Sequence, residues 1–184
     1  NPSIEEFSHE ATNQTVALKD YRYVGSDPNN YVWLSEEEVC SKDNLYRIIG
    51  VIPTQSEVGG EYENRIKLIK NTSYVGQTIR SGVPYGENQR GYTFSSTNSA
   101  DWNSVSLSAT LNGEYYNTLG KYQNYIEASV WNLGSIGTTL ALTVQSAAYP
   151  GNNYTPERFY VAERTGSTST IKNIGLMYAS DYGY

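Results

Sequence analysis

The side chains able to do chemistry are few and scattered. The one histidine, His9, stands in a polar stretch beside Glu5, Glu6 and Glu10. A hydrolytic triad needs a base for its nucleophile, usually a histidine. A lone histidine in such a stretch is expected at the surface. The one cysteine, Cys40, has no second histidine to pair with. It is either a leftover thiol whose mate lies elsewhere, as in secreted domains, or a small buried hydrophobe. Glu36, Glu37 and Glu38 are adjacent, so they do not converge on one ion and read as a solvated loop or helix start. Glu61 and Glu63 offer a carboxylate pair, but glycoside cleavage needs two carboxylates across a cleft, which spacing cannot show. Asp27 in "SDPNN" and Asp181 in "ASDYG" could offer oxygen ligands to calcium, yet neither has the EF-hand spacing, and both read as turn formers. No glycine fingerprint for phosphate or dinucleotide is present. Asn13, Asn71 and Asn153 open Asn-x-Ser/Thr triplets, which a chain this rich in those residues produces by chance. The expectation is a protein without catalytic residues, cofactor or metal.

These residues hang on a pattern of strands followed by helices. Residues 1–15 are polar and form a separate N-terminal segment, with Ser3 and Glu6 spaced as a capping box before a short helix. "VALKDYRY" at 16–23 alternates as a half-buried strand, and "YVWL" at 31–34 answers it across a turn, which predicts a β-hairpin over 16–34. "LYRIIGVI" at 45–52 and "RIKLIK" at 65–70 are expected to pair across Gly59-Gly60. In the second of these, Ile66 and Leu68 are expected to face in, with Arg65, Lys67 and Lys70 facing out. Trp102 opens a helical region over 103–130, capped by Asn103 or Ser104 and carrying Val105, Leu107, Leu111 and Tyr115 on one face. Asn112-Gly113 predicts a break into two short helices, and Tyr122, Ile126 and Val130 continue the spacing. "VWNLG" returns to extended chain. Residues 138–148 fit helix or strand equally, 159–161 are ambiguous, and "GSTST" at 166–170 reads as a loop. Residues 174–178 read as the last strand, followed by a turn at Ser180-Asp181. The expected core holds Ile48, Ile49, Val51, Ile66, Leu68, Trp102, Leu107, Leu111, Ile126 and Leu176. Strands followed by helices give an α+β class with one antiparallel sheet, as a single domain over 16–184.

At 184 residues the chain is long enough to bury a core. Its 38% apolar fraction is low, and the deficit is filled by Tyr, Asn, Ser, Thr and Gly rather than by charge. Eighteen tyrosines against three phenylalanines suit half-buried strands and wet interfaces. This composition fits an extracellular or cell-surface protein. A net charge of −6 without a basic stripe argues against nucleic-acid binding. No apolar run approaches the roughly 18 residues of a membrane-spanning helix. Residues 71–101 form a long polar loop. Its Tyr85, Asn88, Tyr92 and Phe94 read either as a ligand-contacting surface or as side chains that pin the loop to the body.

Taken in order, "NLYRIIGVI", "RIKLIK", the Trp102-led helical stretch with its Leu111-Asn112 step, "WNLG" and "IGLMYASDYGY" resemble a known family. It comprises surface and secreted proteins of gut Firmicutes and Mollicutes-like bacteria, sometimes anchored by pseudopilin-type segments, with a C-type-lectin-like or formylglycine-generating-enzyme-like fold. The resemblance spans roughly residues 21–184. It implies a non-enzymatic surface module that binds a carbohydrate or protein ligand, or alternatively a self-associating subunit of a pilus-like filament. Members of the family continue past "IGLMYASDYGY", so the resemblance also implies a domain that is incomplete at its C-terminus. A mate for Cys40 would then lie in the remainder, and Ile174, Leu176 and Tyr178 would form a sheet edge open to another copy or segment.

Overall fold

The apolar run that begins at Leu45 builds the central strand of the molecule. In a computed structural model, which describes residues 3–9, 18–25, 27–35, 39–72, 101–133, 160, 164, 168–178 and 180–183, this run is β4 (Leu45–Gln55). It pairs antiparallel with β5 (Tyr62–Lys70) across the Gly59-Gly60 turn, as the sequence led us to expect. Its other edge carries β2 (Leu18–Val24) and then β3 (Tyr31–Trp33), and β1 (Ser3–His9) pairs outside β2. A second, two-stranded sheet joins β6 (Ser129–Asn132) to β7 (Ser169–Lys172). Between β5 and β6 in the chain come α1 (Ser106–Ala109), which widens into a π-helical stretch over Thr110–Tyr115, and then a 3-10 helix over Gly120–Tyr125. A helical turn, α2 (Ser180–Gly183), follows β7. The class is α+β with antiparallel sheets and a few short helices.

Several expectations are corrected. The polar N-terminal residues form strand β1, not a capped helix, because each rung from Ser3 to His9 finds a partner on β2. The 16–34 hairpin does not form. Tyr21 and Arg22 face Val51 and Gly50, and Tyr31 faces Arg47, so β2 and β3 lie end to end on one edge of β4. The chain between them loops out and re-enters at Asn30, whose backbone accepts from Ile48 N (2.8 Å) and whose Nδ2 donates to Ile48 O (2.6 Å). The bulge in β4 falls beside Gly50, where a Cβ would stand 2.3 Å from the Tyr21 carbonyl, so only glycine lets β2 approach.

The alternation of β5 has the expected period but the opposite sense. Ile66 is 63% and Leu68 37% exposed, whereas Arg65 and Lys67 turn inward. Acceptors and aromatic rings wait for the cations on that side: Arg65 donates to Ser129 Oγ (3.0 Å), and Lys67 meets Asp181, Trp131 and Tyr178. Of the expected core, Trp102 is buried, while Ile48, Ile49, Val51, Leu107, Leu111 and Ile126 are half-buried and Leu176 is exposed. Among the described residues, the buried hydrophobic side chains are Tyr46, Ile52, Trp102, Val105, Tyr115 and Tyr160, with Tyr46 and Tyr115 joined hydroxyl to hydroxyl at 2.8 Å.

Asn112-Gly113 lies inside the π-helical stretch instead of breaking the helix, and neither Asn103 nor Ser104 caps α1, which starts after Val105. The stretch ends before Gly120, whose φ of +53° a glycine adopts without strain. Ser169 and Thr170 belong to β7 and not to a loop. Residues 174–178 form no ladder strand. Asn112 takes the place of a strand partner there, with Oδ1 accepting from Ile174 N (3.0 Å) and Nδ2 donating to Ile174 O (2.9 Å). Gly175 then lies flat on Trp131, where a Cβ would meet the indole at 2.3 Å. The sheet edge expected at Ile174, Leu176 and Tyr178 is therefore not built as a strand. Residues 138–148, and Phe159 and Val161, lie outside the described residues.

Candidate functional site

Residues two apart on a strand share a face. Asp20 and Arg22 on β2 thus point together, toward the side to which Lys67 turns on β5. His9 lies at the last rung of β1, with Nε2 2.9 Å from Asp20 Oδ1. Arg22 donates through Nε to Asp20 Oδ2 (2.9 Å), and its Nη2 lies 2.9 Å from the same oxygen. Its Nη1 donates to Asp181 Oδ1 (3.4 Å), while Lys67 Nζ donates to Asp181 Oδ2 (2.5 Å). Asp181 Oδ2 also accepts from Tyr178 N (2.9 Å), which fixes the turn that carries it. His9, Asp20 and Arg22 are each at most 1% exposed. This chain of hydrogen bonds and ion pairs ties β1, β2, β5 and α2 together. His9, which the sequence placed at the surface, is one of its most buried members.

Aromatic rings complete the network. Tyr160 stacks on His9, with centroids 3.4 Å apart and planes 6° from parallel, and the Arg164 guanidinium lies 3.5 Å above the same ring. Lys67 Nζ lies 4.6 Å from the Tyr178 ring centre and 5.4 Å from that of Trp131. Buried ions need partners of opposite charge and hydrogen bonds to offset lost hydration. Burial alone would raise the Asp20 carboxyl, but hydrogen bonds from His9 and Arg22, with the charge of Arg22, outweigh it and hold the group below its ordinary value. Burial pushes the Lys67 ammonium down, against the pull of Asp181. Burial also pushes the Tyr160 phenol up to about 12. His9 and Asp20 have the residue types of a base and its orienter. They face Tyr160 and not solvent, so the pair clamps β1 onto the sheet.

Beside the network lies a cleft of about 370 Å3, between the loop that follows β2 and the β3 end of the sheet. Arg22 and Asp181 form its inner end, Ile69 and Met177 give it apolar walls, and Arg47 and Asn71 also line it. Arg47 Nε donates to Asn30 Oδ1 (3.2 Å), and its guanidinium lies 5.2 Å from the centre of the Tyr31 ring. Asn30 is itself buried and doubly bonded to Ile48, so it holds the guanidinium in place. No ion pair of Arg47 is formed among the described residues.

The sequence-expected ligand residues Tyr85, Asn88, Tyr92 and Phe94 lie outside the described residues. Tyr178 joins the network, while Ile174 and Leu176 do not. Cys40 is exposed as a free thiol. Glu63 is bound to Arg65 (2.6 Å), and Glu61 is exposed. Asp27 is exposed in its turn, and among the described residues no group of three or more His, Cys, Asp or Glu could hold a metal. No helix among them is long and apolar enough to cross a membrane. The one sequence signal for the network was Asp20 and Arg22 at a spacing of two, which an outward-facing strand would show equally. Comparison with known proteins finds no match to this chain among family models, curated proteins or solved structures.

Proposed function

We propose that this chain is a non-enzymatic binding module of an extracellular or cell-surface protein, C-type-lectin-like in organisation, which takes a glycan or protein ligand in the cleft beside β3. The observation that carries the reading is the cleft itself. It is about 370 Å3, within the range of small-ligand sites, and combines apolar walls with a few fixed polar groups. The tyrosine-rich, weakly charged composition supports the same setting. The charged residues that could have served catalysis are spent on one another in the buried network, which leaves the cleft with groups suited to holding a ligand.

The test is to probe glycan arrays and a panel of extracellular proteins with the chain and with its Asn71→Trp variant. Asn71 is exposed and lines the cleft, so an indole there narrows the space. Binding by the parent chain that Asn71→Trp abolishes is the expected result. An empty array and panel, or binding that Asn71→Trp leaves intact, would overturn the proposal.

A further inference from the structure

We infer that the ligand of this cleft carries a carboxylate, presented by an acidic saccharide and received by Arg47. The inference rests on the binding reading above and names the chemistry of its ligand. The chain as a whole carries a net charge of −6, which repels anions at long range. The cleft differs locally. Of its charged side chains, Arg22 is paired with Asp20 and Asp181, Asp181 is paired with Lys67 as well, and the Lys70 ammonium is engaged by the Asp43 carbonyl and Thr72 Oγ1. Arg47 has no carboxylate partner among the described residues, and its terminal nitrogens have no hydrogen-bond partner there.

The guanidinium is also pre-positioned. Its Nε is held by a buried asparagine and its plane rests near the Tyr31 ring, so little side-chain freedom remains to be lost on binding. A fixed guanidinium with its terminal nitrogens available matches the two oxygens of a carboxylate in a paired, planar geometry. Tyr31 does not line the cleft itself, but it is 42% exposed beside the guanidinium and offers an aromatic surface at the cleft's margin on which a sugar ring can rest. The Asn71 amide lines the same cleft as a donor and acceptor for hydroxyls. The small volume favours a compact sugar unit over an extended acidic peptide.

The test titrates the full chain with trigalacturonate, with its neutral methyl ester, and with a triglutamate peptide, by calorimetry at low and raised salt. The acid saccharide is expected to bind, with affinity falling as salt rises, and the ester and the peptide are expected to bind at least about tenfold more weakly. Arg47→Gln should remove about the same factor, and Arg47→Lys should recover only part of it, because an ammonium keeps the charge without the paired donors. Thermal melts of both variants show whether the fold is intact, and the Lys variant separates ligand contact from a packing role. Equal binding of acid and ester would overturn the inference and leave the binding module standing. Equal or tighter binding of the peptide would overturn the saccharide. Failure of all three probes, with a neutral ligand found on the arrays, would overturn the inference alone, and failure on the arrays as well would overturn both.

Discussion

Replacing Tyr160 by phenylalanine isolates the cost of burying one hydroxyl. The ring is 1% exposed between His9 and Arg164, and its hydroxyl has no hydrogen-bond partner among the described residues. Phenylalanine keeps both ring contacts and removes a desolvated polar group, so at neutral pH Tyr160→Phe should match or exceed the parent by up to about 1–3 kcal/mol. The pH dependence is the sharper reading. The folded phenol titrates at about 12 and the unfolded one at its ordinary 10.0. Above pH 10 the unfolded chain therefore holds fewer protons than the folded one, and stability falls as pH rises. One pH unit above the ordinary value the loss is about 1.4 kcal/mol, and across the whole window it approaches about 2.7 kcal/mol. Exposed tyrosines titrate alike in both states and cancel between parent and variant. Urea unfolding of both proteins from about pH 9 to about pH 11 measures the difference, in which the parent should lose about 1.4 kcal/mol more than Tyr160→Phe. Equal losses would refute the reasoning, and so would a variant destabilised by more than about 1 kcal/mol at neutral pH, since the hydroxyl would then be making a useful bond.

Two further perturbations probe the network and the open face. Asp20→Asn removes the carboxylate shared by His9 and Arg22 and should cost about 3–5 kcal/mol in denaturant unfolding. Because the folded carboxyl titrates below its ordinary value, the parent's advantage should be complete above about pH 4 and fade as the pH falls through the folded value. Ile66→Ser alters an exposed side chain and should change stability by no more than about 0.5 kcal/mol, whereas a loss near 2 kcal/mol would show that this face is covered.

The β4–β5 pair was legible because its signals are local: an apolar run, a double glycine, and a period of two. The same period in "NRIKLIK" could not say which face was inside. Hydrophobic side chains are normally assigned inward, and here that rule fails because the partners of Arg65 and Lys67 come from far along the chain, Asp181 being 114 positions from Lys67. His9 was misread for a related reason. In a run of glutamates it looks solvated, and only the rung-by-rung pairing of β1 with β2 brings it to Asp20. Residues 174–178 have the composition of a buried strand, but Asn112 takes the hydrogen bonds of Ile174 that a neighbouring strand would have made. The cleft left no local mark at all, since it depends on Asn30 re-entering the edge of β4 after a loop. The helical region was found, but the π-helical stretch through Asn112-Gly113 was not, and its Asn112 reaches Ile174, 62 positions away, a partner no local pattern could reveal.

Asp181 joins the sheet to a segment made late in synthesis. All five strands of the larger sheet have been made once Lys70 leaves the ribosome, yet Arg22 and Lys67 then still lack the carboxylate they share, which lies 159 positions beyond Arg22. An early sheet would have to hold Lys67 in a half-buried place without this countercharge, which favours a hydrated inward face until the α2 turn arrives. Closing contacts over such a separation is slow, and the interval exposes β-strand surface to neighbouring nascent chains. A single late aspartate thus completes the charge balance of a sheet whose strand ladders lie wholly within residues 3–70.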